Sequence, residues 1–600
     1  MKKLINLPLI YSIRIVFESS PLYASLIILH AIVIGVLPSI LVMLEANFID
    51  QTLDLLKTGF DISRIVLPMT FLVLAIIFMW LAKSLKSTLR TFLLSSVRGY
   101  LLPQIYDKKA TLDYKDYENT EICNLISRVS LEPELTVTNA FLHLLLLISD
   151  LIVVASLFLV IATHAWQSAI LVFVISIPLF ILAMKSGKAN YEATKRTIQL
   201  ERKSKYLDTV LSDKSTAHER SLFQYGKEMI DQCYEINESI RKILVLTRLK
   251  WFIKMKTGSI IIAFISLSIT LFMINSLSKG EITIGLFAAL VNAVFKLVNK
   301  LSWELTDVMD SLAKKSEYLK DLKSFNQLKS DYISTEGKGK SNIEFNSIEF
   351  KNVSFKYPNS AEYVLKDLSF KITAGKHYAL IGVNGAGKTT ITKLMIGLYK
   401  EYDGEILIND LDIKNYQQKE LRDLFSVVFQ DFAKYQISIK DNILLPIIQQ
   451  YEVAILEEKL QEVINKLDLH NLLDDSPKGI DTELGKLSHD SVELSHGQWQ
   501  RIAIARAIAV DTPFYILDEP CSALDAINEQ KLYWEYDHLL KGKTTISISH
   551  RLGATKIANE IIVISSGRMI AVGSHDDLYE TCRLYRDMYD KQKGWYENAS

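Results

Sequence analysis

Cysteine is nearly missing from this chain: four residues in 600, at Cys123, Cys233, Cys521 and Cys582. Their spacings fit neither a zinc site nor the disulfide framework of a small secreted domain. An excess of one charge is missing too, because Lys+Arg and Asp+Glu both number 68. A nucleic-acid binder would carry a basic surplus, so no nucleic-acid partner is expected. What the chain does have is apolar sequence: hydrophobic residues make up 49% of it. The excess sits in the first half, in runs that approach membrane length, which sets the class as a membrane protein. At 600 residues the chain also exceeds one compact core, so at least two domains are expected.

A helix needs about 20 apolar residues to cross the hydrocarbon core. Six stretches qualify: 21–44, 65–82, 140–163, 166–184, 257–277 and 282–301. The first follows Lys2, Lys3 and Arg14 but is too long for a signal-peptide core and has no small-residue cleavage site after it, so it reads as a retained span. Loop charge sets the orientation. The basic N-terminus belongs in the cytoplasm, the acidic loop after the first span (Glu45, Asp50, Asp54, Asp61) outside, and the Lys/Arg-rich connections 83–139 and 185–256 inside. All four cysteines then face the cytoplasm, where thiols stay reduced.

The two long inner connections are charged, poor in proline and glycine, and compatible with helix. They read as cytoplasmic extensions of the membrane helices, with 112–119 and 216–226 as segments that contact a following domain. Residues 4–17 suit an interfacial helix before the first span. Inside the spans, His143 and Asp150 stand out. A charge there costs about 2.5–3.5 kcal/mol on insertion scales, so such residues turn toward a polar interior or a transport pathway.

Residues 307–328 read as a charged helical continuation, and 331–342, small, polar and glycine-containing, as a linker between a membrane domain (1–330) and a second domain (343–600). There, short apolar runs alternate with helical stretches, an α/β pattern. Gly382, Val383, Asn384, Gly385, Ala386, Gly387, Lys388 and Thr389 spell the P-loop between such a run and a helix, and Thr390 joins them as an expected ATP-binding residue. Its glycines let backbone N–H groups close around phosphates, Lys388 reaches the β- and γ-phosphates, and the Thr389 hydroxyl meets Mg²⁺. The apolar run 514–517 ends in two carboxylates: Asp518 on the metal side and Glu519 placed to activate the attacking water. ATP and Mg²⁺ are the implied cofactors. The fold class is thus an all-α six-helix membrane domain followed by an α/β P-loop ATPase domain.

With those motifs in place the chain resembles the ABC transporter superfamily over nearly its full length. Leu494, Ser495, His496, Gly497 and Gln498 look like the family signature, with His496 where glycine is usual. In the family this element meets the γ-phosphate held on the opposite subunit, which implies a face-to-face dimer. Further matches follow in family order. Tyr357 corresponds to the aromatic that stacks on adenine. Gln430 corresponds to the glutamine that senses Mg²⁺ and the attacking water. Ser522, Ala523, Leu524 and Asp525 correspond to the loop that crosses to the partner, and His550 to the γ-phosphate histidine. A membrane domain fused ahead of one ATPase domain resembles exporter half-transporters. It implies a second subunit, another copy of this chain or a related one.

Residues 427–436, Trp499 after the signature, and 113–128 look like bacterial lantibiotic and related peptide exporters. The resemblance therefore implies a peptide substrate and a lipid-embedded machine in the cytoplasmic membrane. Relatives that trim leader peptides carry an N-terminal cysteine peptidase; with the first span starting at residue 21, transport without cutting is expected. A multidrug or lipid exporter shares the architecture, and an ATP-gated channel without turnover is the reading from another class.

Overall fold

The computed structural model describes residues 8–58, 63–164, 166–300, 304–328, 343–358, 360–486, 488–519, 538–549, 555 and 557–597. The expected linker 331–342, the crossing-loop residues Ser522, Ala523, Leu524 and Asp525, and His550 lie outside the described residues. The chain forms two compact units: Met1–Ala110 with Asn124–Leu328, and Thr111–Cys123 with Lys329–Ser600.

The first unit is helical. The first described helix is Pro8–Ser19, and proline opens the next, Pro21–Thr58, and the later Pro133–His164, the position where its missing N–H costs nothing. Ser63–Ala110, Trp166–Ser212 and Gly226–Ser278 run for 48, 47 and 53 residues. At 1.5 Å per residue these are rods of about 70–80 Å, against a hydrocarbon core of about 30 Å. Helical extensions beyond the membrane therefore follow from length alone. Among the described residues three helices are long and apolar enough to span: Pro21–Lys57, Ile65–Ala110 and Pro133–Thr163. The stretches 166–184 and 257–277 lie in continuous helices, with most of their side chains outside the described residues. The last stretch carries the shorter helix Ile284–Asn299.

Val42, Ala46, Leu157, Ile161, Leu290, Ala293 and Leu297 form a buried cluster shared by three of these helices. Thr283 caps Ile284–Asn299, accepting from the Leu286 amide, while Asp50 accepts from the Gly285 amide at 2.7 Å. A Cβ on Gly285 would sit 2.3 Å from the Ala46 carbonyl oxygen, so only glycine lets the two helices approach this closely. Leu67, Phe71, Leu74, Phe78 and Trp80 stay exposed, an arrangement hydrocarbon tolerates and water penalises.

Asp150 is 4% exposed. It accepts from the Lys300 ammonium at 2.5 Å, and the same ammonium reaches Glu304. His143 instead turns to the carbonyl of Asn139 at 2.6 Å. Asp150→Ala is expected to lower stability by about 1–3 kcal/mol, less than stranding a buried charge, because Glu304 keeps Lys300 paired. Thermal unfolding of the purified protein in lipid, with Glu304→Ala alongside, checks this; an unchanged midpoint would contradict it.

The second unit holds two sheets. Its strands are β1 (Ser347–Phe355), β2 (Leu365–Thr373), β3 (His377–Gly382), β4 (Asp403–Ile408), β5 (Leu411–Asp412), β6 (Phe425–Val428), β7 (Phe514–Asp518), β8 (Thr544–Ile548), β9 (Glu560–Ser565) and β10 (Arg568–Gly573). The antiparallel sheet has the order β2-β1-β4-β5 and the other β10-β9-β3-β8-β7-β6. In the larger sheet only the edge pair β9–β10 is antiparallel. Strands β7 and β8 are buried at every residue, as parallel strands covered on both faces must be, which is why they read as unbroken β-prone runs. The segment Thr111–Cys123 belongs to this unit and contains the short helix Tyr114–Glu118.

Candidate nucleotide site

The loop after β3 leads into the helix Lys388–Met395. Gly387 caps that helix at φ 99°, a left-handed conformation that side chains resist, and a Cβ there would also meet Leu365 at 2.6 Å. Gly382 is glycine for a packing reason: a Cβ would lie 2.2 Å from the Ile564 carbonyl oxygen on the neighbouring strand β9. The unpaired amides of the helix start face a cavity of about 390 Å³. Residues 384–390 line it together with Val364, Gln430 and Glu519.

Lys388 is 7% exposed and folds onto its own loop, donating to the Gly382 and Val383 carbonyls at 2.8 and 3.2 Å. Burial pushes its pKa below the usual lysine value, against the pull of Glu519 and Asp518. Asp518 ends β7 with 1% exposure. Burial drives its carboxyl up to about 6, opposed by the Thr389 hydroxyl and Lys388. Neither of its oxygens has a hydrogen-bond partner at standard geometry, although Thr389 is close enough to favour the ionised form.

A buried carboxylate with vacant lone pairs beside a threonine hydroxyl fits a hard cation. Among the described residues no group of three His, Cys, Asp or Glu forms a protein-only cage. One carboxylate and one hydroxyl match the one or two protein ligands Mg²⁺ takes before phosphate oxygens and water fill its octahedron.

Glu519 has φ 47°, a conformation that costs a non-glycine residue about 1–3 kcal/mol. Its amide donates to the Ile548 carbonyl at 2.9 Å, which helps hold the turn. The strain lifts its carboxylate out of the strand line, where Gln430 Nε2 donates to it at 2.7 Å. Thus Lys388, Thr389, Gln430 and Glu519 share one cavity, with Asp518 adjoining Glu519 in the chain.

The signature residues do not line this cavity. The helix starts inside the motif, at His496, and not after it. Ser495 and Gln498 form a reciprocal capping box, Ser495 Oγ accepting from the Gln498 amide and Gln498 Oε1 from the Ser495 amide at 2.8 Å. Leu494 and Trp499 anchor this turn in a buried cluster, and the His496 ring lies 5.4 Å from Phe432.

Tyr357 is half-buried, its hydroxyl 2.8 Å from Thr390 Oγ1. Around its ring stand Lys393 and Tyr399, two residues that motif reading passes over because neither belongs to a recurring pattern.

Residues 365–522 match the ABC transporter family. The subtilin transport ATP-binding protein SpaT of Bacillus subtilis is 32% identical over 82% of this chain and 80% of its own length. The nisin transport ATP-binding protein NisT of Lactococcus lactis is 28% identical, with 80% of each covered. An ATP-dependent lipid A-core flippase of Shewanella denitrificans is also 28% identical, over 95% of each. In fold, a bacterial exporter of the Atm1 family solved with ATP bound superposes with a TM-score of 0.76 at 20% identity, covering 94% of this chain and 97% of that one. A P-loop ATPase domain carried on the same polypeptide as a multi-pass helical domain, at these levels of likeness, places the chain in the ABC transporter family, as an ATP-hydrolysing exporter.

Proposed function

We propose that this chain exports a peptide of the lantibiotic or bacteriocin class across the bacterial cytoplasmic membrane, working as a dimer of identical subunits. The observation that carries the substrate class is the likeness to SpaT, at 32% identity over 82% of the chain. In this reading the N-terminus and the ATPase domain are cytoplasmic, and 331–342 links residues 1–330 to 343–600. Lys388 and the amides of 382–390 hold the phosphates, and Tyr357 offers its ring to adenine. Mg²⁺, held by Thr389, Asp518 and Gln430, would neutralise charge on the phosphate oxygens.

Glu519 takes the proton of the attacking water. Its hydrogen bond from Gln430 orients the carboxylate, and His550 contacts the γ-phosphate. The signature residues 494–498 and the loop 522–525 act across the dimer on the partner's nucleotide. ATP closes the two ATPase domains and hydrolysis resets them, provided the two membrane-domain states differ in substrate affinity.

The likeness to the lipid A-core flippase, lower in identity at 28% but broader at 95% of the chain, favours a second reading, lipid export. ATPase activity of the protein in lipid vesicles, titrated with ring-bridged cationic peptides and separately with anionic glycolipids, distinguishes them. Several-fold stimulation by peptide alone is the expected result, and stimulation by glycolipid alone would overturn it in favour of the second reading.

A further inference from the structure

Three parts of the second unit converge beside Tyr357. From the segment Thr111–Cys123 come Tyr114 and Glu118; from the helix after the phosphate loop, Lys393; and from just beyond it, Tyr399. Lys393 donates to Glu118 Oε1 at 3.0 Å, and its ammonium lies 5.2 Å from the Tyr114 ring centre and 5.4 Å from that of Tyr357. Both distances are within reach of a cation–π attraction. The Tyr399 hydroxyl donates to the other Glu118 oxygen, and its ring stands edge-on to Tyr114 at 5.8 Å and to Tyr357 at 5.7 Å.

Glu118 is therefore the acceptor for two of the groups that flank Tyr357, Lys393 and Tyr399; a third, Phe355, stands edge-on at 5.2 Å and makes no such bond. Burial pushes the Glu118 carboxyl up, but the Tyr399 and Lys393 donors more than offset this and hold it below the usual range. Beyond Tyr357, the chain of contacts continues through its hydroxyl to Thr390, a wall of the phosphate cavity.

We infer that Glu118, acting through Lys393 and Tyr399, is a positioning residue for the Tyr357 ring and so sets how tightly the site holds the base of its nucleotide. The inference rests on the reading of Tyr357 as the adenine platform. With the carboxylate in place, Lys393 is held between two rings and the Tyr399 hydroxyl is fixed; without it, Lys393 is free to leave Tyr357, while Tyr399, buried and packed on Phe355, loses only the anchor of its hydroxyl. At each end the segment 111–123 continues into the membrane unit's own sequence. A displacement of that segment would therefore be read by the site as a change in ATP affinity before any change in chemistry.

The test uses the full chain in lipid, with steady-state ATPase kinetics and tripolyphosphate as a competitive inhibitor. Tripolyphosphate has the phosphates but no base. Glu118→Gln is expected to raise the KM for ATP about three- to tenfold, leaving kcat within about twofold and the inhibition constant of tripolyphosphate unchanged. Tyr399→Phe, which removes one hydroxyl, should move KM the same way by less and guards against misfolding of the first variant. In a Tyr357→Ala background, Glu118→Gln should add nothing further.

Equal weakening of ATP and tripolyphosphate, or additive effects in the double variant, would overturn the inference. A KM unchanged by Tyr357→Ala alone would overturn the platform reading itself. A KM raised by Tyr357→Ala and unaffected by both Glu118→Gln and Tyr399→Phe would remove only the role of Glu118.

Discussion

Lys388→Ala is expected to lower ATP turnover by about 10²–10³-fold, the usual loss when one preorganised donor to developing negative charge is removed. The side chain is 7% exposed and rests on two carbonyls of its own loop, so its charge is held at the cavity before any phosphate arrives. Alanine cannot supply that charge, and the amides of the helix start then bind the phosphates alone. The fold should survive, because Lys388 itself lines the cavity and water taking its place can reach the two freed carbonyls. Turnover in lipid and surface labelling of the membrane-inserted protein are the two measurements. Wild-type turnover in this variant would remove Lys388 from the site.

Glu519→Gln tests the other half of the chemistry. The amide keeps the size of the carboxylate and can still bond Gln430, so the strained turn at φ 47° should persist and nucleotide should still bind. What it loses is the ability to take a proton from water. Such a loss costs about 10²–10⁴-fold in turnover, with ATP retained on the protein. Retention of labelled ATP beside lost phosphate release is the expected pair of results. Undiminished turnover would strip Glu519 of the role of base. An ATP-gated channel predicts a third pattern: ion flux in the variant that follows ATP binding with no hydrolysis.

The legibility of this protein divides along sequence distance. The phosphate loop and the Asp518–Glu519 pair lie within runs of a few residues that carry both their chemistry and their strand context, so the order of amino acids alone locates them. The apolar stretches are readable for the same reason, since membrane length is a local property. Partners far along the chain are not. Asp150 stands out as a costly charge, but Lys300, which neutralises it, is 150 residues away.

Glu118 and Lys393 are 275 residues apart, and nothing in either neighbourhood names the other. The strained backbone of Glu519 is equally hidden, because glutamate carries no propensity for a left-handed turn. The helix expected over 4–17 is described over Pro8–Ser19, its first expected residues lying outside the described ones. The helix His496–Val510 begins within the signature, because Ser495 caps it.

The division of the chain has a practical consequence for anyone wishing to work with the water-soluble half. The ATPase unit is assembled from two separate stretches, 111–123 and 329–600. A fragment cut once, anywhere near residue 330, omits the first stretch. Lys393 would lose its carboxylate and Tyr399 both its acceptor and the facing ring of Tyr114. Nucleotide constants measured on such a fragment would describe a binding site with one support missing. A faithful soluble surrogate has to be spliced, with the 13 residues Thr111–Cys123 tethered to the rest by an engineered connection.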